Sequence, residues 1–129
     1  MFNLILFIAL IGMTTPEIND VSAPIAYSLT INWDPENCVC GTIEIKQLDW
    51  ILQYGTSTIG GENDKVVSGT SYPYDGDGNV ITDCPDCYRL TATIEYIDGS
   101  GKCCEGTAVD YFDGDELIEG TVVLDITMN

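Results

Sequence analysis

Tyr88-Arg-Leu-Thr-Ala-Thr-Ile-Glu-Tyr-Ile97, then Asp98-Gly-Ser-Gly101, then Lys102-Cys-Cys-Glu-Gly-Thr-Ala-Val-Asp-Tyr111, is the stretch whose reading decides the fold. Tyr88, Leu90, Ala92, Ile94 and Tyr96 share one parity, and Arg89, Thr91, Thr93 and Glu95 share the other. A period of two is that of a half-buried strand. Asp98-Gly99 supplies positive-φ residues for a tight reversal, and Thr107, Val109 and Tyr111 continue an alternating return strand. A hairpin alone is marginal in water, so a sheet has to be built around it.

Working outward, Ala26 to Trp33 alternates again, with Tyr27, Leu29, Ile31 and Trp33 against Ser28, Thr30 and Asn32. Asp34-Pro35-Glu36-Asn37 ends it with turn chemistry. From Thr42 to Tyr54, Ile43 and Ile45 hold one parity and Leu48, Trp50, Leu52 and Tyr54 the other, which places a bulge or bend near Gln47. A short helix over 48–54 is the competing reading of that apolar run. Gly60 to Asp64 reads as a loop, Lys65 to Thr70 as a weak strand, Ser71 to Asp86 as a long polar segment, and Asp113-Gly114-Asp115 as a turn. Thr121 to Thr127 closes as a strand with Val122, Leu124 and Ile126 inward. Seven or eight short strands between turn residues, with no convincing amphipathic helix, predict an all-β sandwich. Its expected core is Tyr27, Leu29, Ile31, Trp33, Leu90, Ala92, Ile94, Val122 and Leu124.

The chain has 129 residues, one domain's worth, and the expected division is an arm at 1–15 and a single sandwich at 16–129. Four basic residues against 21 acidic ones give a net charge of −17. Such a surface repels phosphates, so nucleic acid is not an expected partner. Solubility, cation binding and life in high salt all suit it.

Leu4, Ile5, Leu6, Phe7, Ile8, Ala9, Leu10 and Ile11 form an unbroken apolar run. It is shorter than the roughly 20 residues a membrane-spanning helix needs, so no membrane span is expected. No Lys or Arg precedes it and no clean small-residue cleavage site follows, so an uncleaved signal-like segment competes with a strand buried on both faces. Such a strand could be inserted into a neighbouring subunit, adding its backbone to an exposed sheet edge.

Ser28-Leu-Thr-Ile-Asn-Trp33-Asp-Pro35, preceded by Pro16, resembles the opening of a fibronectin type III module, in which a strand ending in Trp-Asp-Pro places the Trp in the core. Tyr88 to Thr93 is similar to that family's sixth strand, whose first Tyr closes a corner against the preceding loop. The resemblance implies an immunoglobulin-like antiparallel β-sandwich, here with an extra N-terminal apolar arm.

Six cysteines stand as Cys38-x-Cys40, Cys84-x-x-Cys87 and Cys103-Cys104, open to fifteen full pairings. In the sandwich reading the loop after the second strand and the loop between the sixth and seventh share a pole. Cys38 and Cys40 are then expected near Cys103 and Cys104, and Cys84 and Cys87 at the opposite pole. Disulfides, idle thiols and a four-Cys zinc site are the alternatives. The vicinal pair argues against zinc, because neighbouring strand residues face opposite ways.

Asp75, Asp77, Asn79 and Asp83 stand at alternate positions with Asp86 at the twelfth, similar to the calcium loop of EF-hand proteins, so a calcium site competes with a plain acidic turn-rich loop. Asp110, Asp113, Asp115 and Glu116 form a second acidic cluster. The chain contains no His, which removes Ser-His and Cys-His nucleophile systems, and Cys84-Pro-Asp-Cys87 lacks a thioredoxin-like βαβ setting. The expected protein is a non-enzyme with no small-molecule substrate. It would be a structural subunit of a virion or an extracellular filament that self-associates, or joins other assembly subunits, through its apolar strand. The alternative is a secreted or cell-surface binding module, with calcium as its conceivable ion.

Overall fold

A computed structural model describes residues 24–129, so the expected arm at 1–15 lies outside the described residues. Strand β1 (Ile25–Asp34) is followed by β2 (Ile43–Tyr54), β3 (Ser57–Val66), β4 (Ser71–Gly78), β5 (Tyr88–Asp98) and β6 (Gly101–Phe112). A short helix, α1 (Gly114–Glu119), then leads into β7 (Val122–Thr127). Two sheets form a β-sandwich, a three-stranded one in the order β4-β1-β7 and a four-stranded one in the order β3-β2-β5-β6.

The alternation read in β1 and β5 sets the core. Tyr27, Leu29, Ile31 and Trp33 from one sheet meet Leu90, Ala92, Ile94 and Tyr96 from the other, and Val122, Leu124 and Ile126 complete the same cluster. All nine expected core residues are buried. Leu48, Trp50 and Leu52 bury as strand residues, which removes the helix reading of 48–54. The parity change in β2 falls at Glu44 rather than near Gln47, because Ile43 pairs with Asp98 and Ile45 with Ile97, leaving Glu44 as the extra residue.

Four expectations need correction. The weak strand expected over Lys65 to Thr70 holds only Lys65 and Val66, as the end of β3, and the chain turns at Gly69 and Thr70. Gly60 to Asp64 is not a loop but the body of β3, pairing Gly60 with Leu52, Gly61 with Ile51 and Glu62 with Trp50. Its glycines permit close approach: a Cβ on Gly61 would meet the Trp50 carbonyl oxygen at 2.7 Å, and one on Gly60 would collide with the Tyr27 hydroxyl. The front half of the polar segment at 71–86 is also strand. β4 pairs with β1 from Asn32 opposite Ser71 to Ile25 opposite Gly78, and it is held by Tyr74 packed edge-on to Trp50 at 4.7 Å between ring centroids. Lastly, Asp113-Gly114-Asp115 is a helix start rather than a plain turn. Asp113 caps α1 in a capping box with Glu116, and Gly120 at φ 76° closes it.

That helix decides the last strand's direction. β6 ends at Phe112, and α1, packed against β1, carries the chain to the free side of β1. β7 therefore runs parallel to β1, with Leu29 opposite Val122 and Asp34 opposite Thr127, which corrects the expectation of a wholly antiparallel sandwich. The hairpin reversal differs in detail too. Its left-handed residue is Gly101, at φ 106°, while Asp98 acts through its carboxylate.

Candidate functional site

One pole of the sandwich is built by the hairpin turn and the β1–β2 loop. Cys38 is bonded to Cys104 and Cys40 to Cys103, with Cα separations of 5.5 and 5.4 Å. Disulfides replace the idle-thiol and four-Cys zinc readings there. β6 accommodates two vicinal cysteines through a bulge: Tyr96 pairs with Cys104 and Ile97 with Lys102, so Cys103 is the extra residue. A bulge re-aims a side chain that strict alternation would point away. Asp98 completes the pole, accepting hydrogen bonds at 2.8 Å from both the Gly41 and the Ser100 N–H. Those backbone donors hold its carboxyl below the usual carboxylate range, with burial opposing them. Nothing local marks this role in the sequence beyond an Asp at a turn.

At the opposite pole Cys84 is bonded to Cys87. The adjoining Tyr88 hydroxyl accepts the Ile81 N–H at 2.6 Å, which pins the approach to β5. Asp83 and Asp86 both take left-handed backbone, at φ 56° and 54°, and the Asp86 N–H donates to the Asp113 carboxylate at 2.7 Å.

The five residues singled out for calcium are divided between two settings. Asp75 and Asp77 lie on β4, opposite Ser28 and Ala26, where they line a shallow cleft of about 310 Å³ with Ile118. Asn79, Asp83 and Asp86 lie in the loop that follows. No three of the four carboxylates converge. Among the described residues the only such grouping of His, Cys, Asp or Glu is Cys40, Asp98 and Cys103, whose two sulfurs are already bonded to each other. The second acidic cluster is likewise dispersed. Asp113 and Glu116 cap α1, and Asp110 accepts the N–H of Tyr111 at 2.8 Å.

The basic residues are mostly engaged. Lys102 reaches Glu105 at 2.9 Å and Glu95 at 3.6 Å, Lys65 reaches Glu62 at 3.9 Å, and Lys46 lies 5.0 Å over the Tyr96 ring. Arg89 touches the Gln53 amide oxygen at 2.6 Å.

What remains on the surface is apolar side chain on sheet. Thr107, Val109 and Tyr111 continue the hairpin as expected, but their face is the outer one. Val109 is 50% and Tyr111 53% exposed. They pair with Thr91 and Arg89 on the outside of the four-stranded sheet, next to Ile51. The assembly residues expected at Leu4 to Ile11 lie outside the described residues. No helix among the described residues is long and apolar enough to cross a membrane.

Fold and surface together define an acidic, disulfide-stapled all-β sandwich. Comparison with known proteins finds no matching family model, no matching curated protein and no matching solved structure.

Proposed function

We propose that this chain is a non-enzymatic building block, an immunoglobulin-like sandwich of the fibronectin type III kind that serves as a subunit of an extracellular filament or of a virion, as decoration or fibre. Several features support the immunoglobulin-like part. The sheets divide three to four, Trp33 ends a core strand, and the Tyr88 hydroxyl bonds back to Ile81 just upstream, as in the tyrosine corner of that architecture. Three disulfides fit an oxidising location outside the cytosol. The observation that carries the assembly part is the pair Val109 and Tyr111, half exposed on an edge strand of a sandwich braced by covalent bonds. The sequence supplies the joining element, the uncharged run Leu4 to Ile11. Burying five or six such side chains contributes on the order of 10 kcal/mol, enough to dominate assembly.

Sedimentation of the full chain beside a chain beginning at Thr14 tests the reading. The full chain is expected to assemble and the shortened one to be a folded monomer. Assembly that survives the deletion, or a full chain that stays monomeric at high concentration, overturns it in favour of a secreted or cell-surface binding module.

A further inference from the structure

Sheet edges expose backbone N–H and C=O groups, and proteins blunt them with Lys, Pro, bulges or charge. Two of the four edge strands of this sandwich are blunted in that way. β3 carries Lys65 and two register breaks against β2, and β4 carries Pro73, Asp75 and Asp77. β6 differs. From Glu105 to Phe112 it stays in unbroken register with β5, and beyond Glu105 its one charged residue is Asp110.

The direction of its free groups follows from the other end of the strand. The Glu105 N–H and C=O exchange hydrogen bonds with Asn129 at 3.1 and 3.0 Å, so they point away from β5. Strand alternation then turns the N–H and C=O of Thr107, Val109 and Tyr111 the same way. The Thr93 and Thr107 hydroxyls, 2.9 Å apart, fit the close side-chain approach of such a pair. Asp110 occupies the Tyr111 N–H. Among the described residues, the N–H and C=O of Thr107 and Val109 are left facing outward with no strand beside them. The exposed Val109 and Tyr111 side chains sit directly above.

We infer that this edge receives the apolar run Leu4 to Ile11 of a neighbouring copy as an added strand; the inference rests on the assembly reading above. The edge asks for an extended, Pro-free backbone with apolar side chains. Eight residues of strand span about 26 Å and Thr107 to Phe112 about 20 Å, so the run covers it. On a chain of net charge −17 the run brings no charge at all beside Glu105 and Asp110. Within its own copy the run is tethered through Pro24 to the start of β1, the middle strand of the opposite sheet, with α1 and β7 flanking β1 on the side towards β6.

The test is amide hydrogen exchange on the full chain, beside a full-length variant carrying Leu6→Asp and Ile8→Asp, at concentrations spanning assembly. The expected result is that the Thr107 and Val109 amides exchange roughly 100-fold slower in the assembled chain than in the variant, which dissociates. Val109→Pro, which deletes one edge donor on a strand where Pro is tolerated, is expected to weaken assembly while leaving the monomer folded. If the variant dissociates but both amides exchange equally fast in the two proteins, the edge is wrong and the assembly reading stands. A variant that stays assembled overturns the assembly reading itself. Protection that persists on dilution to monomer means the run docks on its own copy, which overturns donation between copies.

Discussion

Trp33 and Tyr96 join the two sheets through one hydrogen bond, the indole N–H donating to the phenol oxygen at 2.9 Å in the buried interior. A Trp in an apolar core needs a partner for its N–H, and Tyr96 supplies it from the facing strand. Trp33→Ala is expected to cost about 3 to 5 kcal/mol through the cavity it leaves. Tyr96→Phe strands the indole donor and is expected to cost about 1 to 3 kcal/mol. Urea unfolding followed by Trp fluorescence measures both, and a Tyr96→Phe protein as stable as the parent removes the bond's role.

Tyr88→Phe tests the corner at the other pole. The Ile81 N–H loses its acceptor, with an expected loss of about 1 to 2 kcal/mol. Faster exchange of the Ile81 amide, with amides in the middle of β5 unchanged, separates a local opening from general destabilisation.

The three disulfides are expected to be unequal. Cys38–Cys104 closes a separation of 66 residues and Cys84–Cys87 one of 3. Chain entropy assigns about 4 kcal/mol to the long loop and about 2 to the short one. Because Cys40–Cys103 runs beside Cys38–Cys104, replacing either with a Ser pair should cost little and replacing both should cost the full amount. Thermal unfolding of the single and double replacements decides this; additive losses would show the two staples acting separately.

Asp98 gives the acid limb of stability a definite sign. Its folded pKa lies below its ordinary value because the Gly41 and Ser100 N–H groups favour the carboxylate. The stabilisation is therefore present above the ordinary carboxylate range and is lost as pH falls through the lowered folded value. Asp98→Asn is expected to flatten that part of the stability profile below about pH 4, with denaturant midpoints measured across the acid range. An unchanged slope would assign the acid sensitivity elsewhere.

At the alkaline end the direction reverses. Tyr27 is pushed up to about 12, mainly by burial and then by Tyr74 and Asp77. Tyr72 is also pushed up to about 12, by burial and by its hydrogen bond to Glu62. The folded protein keeps protons that the unfolded chain releases near pH 10, so stability should fall from about pH 10 upward. Ultraviolet titration of Tyr27→Phe should lose one late-titrating phenol; a parent protein whose phenols all titrate near 10 would contradict both shifts.

Alternation alone determined the elements that bury one face. Tyr27 to Trp33, Tyr88 to Tyr96 and Val122 to Ile126 declare their inward side at every second residue, because a strand that misplaces that face loses its whole core contact. The pole shared by Cys38, Cys40, Cys103 and Cys104 was legible too, since a sandwich brings those two loops together. Tertiary contact decided the rest. Gly60 and Gly61 read as loop and Ser71 onward as a polar segment, yet both stretches form strands, with Gly60 and Gly61 in close approach to Tyr27 and Trp50 and Tyr74 packed on Trp50. The Cys103 bulge and the hydrogen bond from Gly41 to Asp98 serve partners 63 and 57 residues away, which no local pattern encodes. The same holds for β7: its inward face was written in Val122, Leu124 and Ile126, but its parallel course beside β1 was fixed by where α1 sets the chain down.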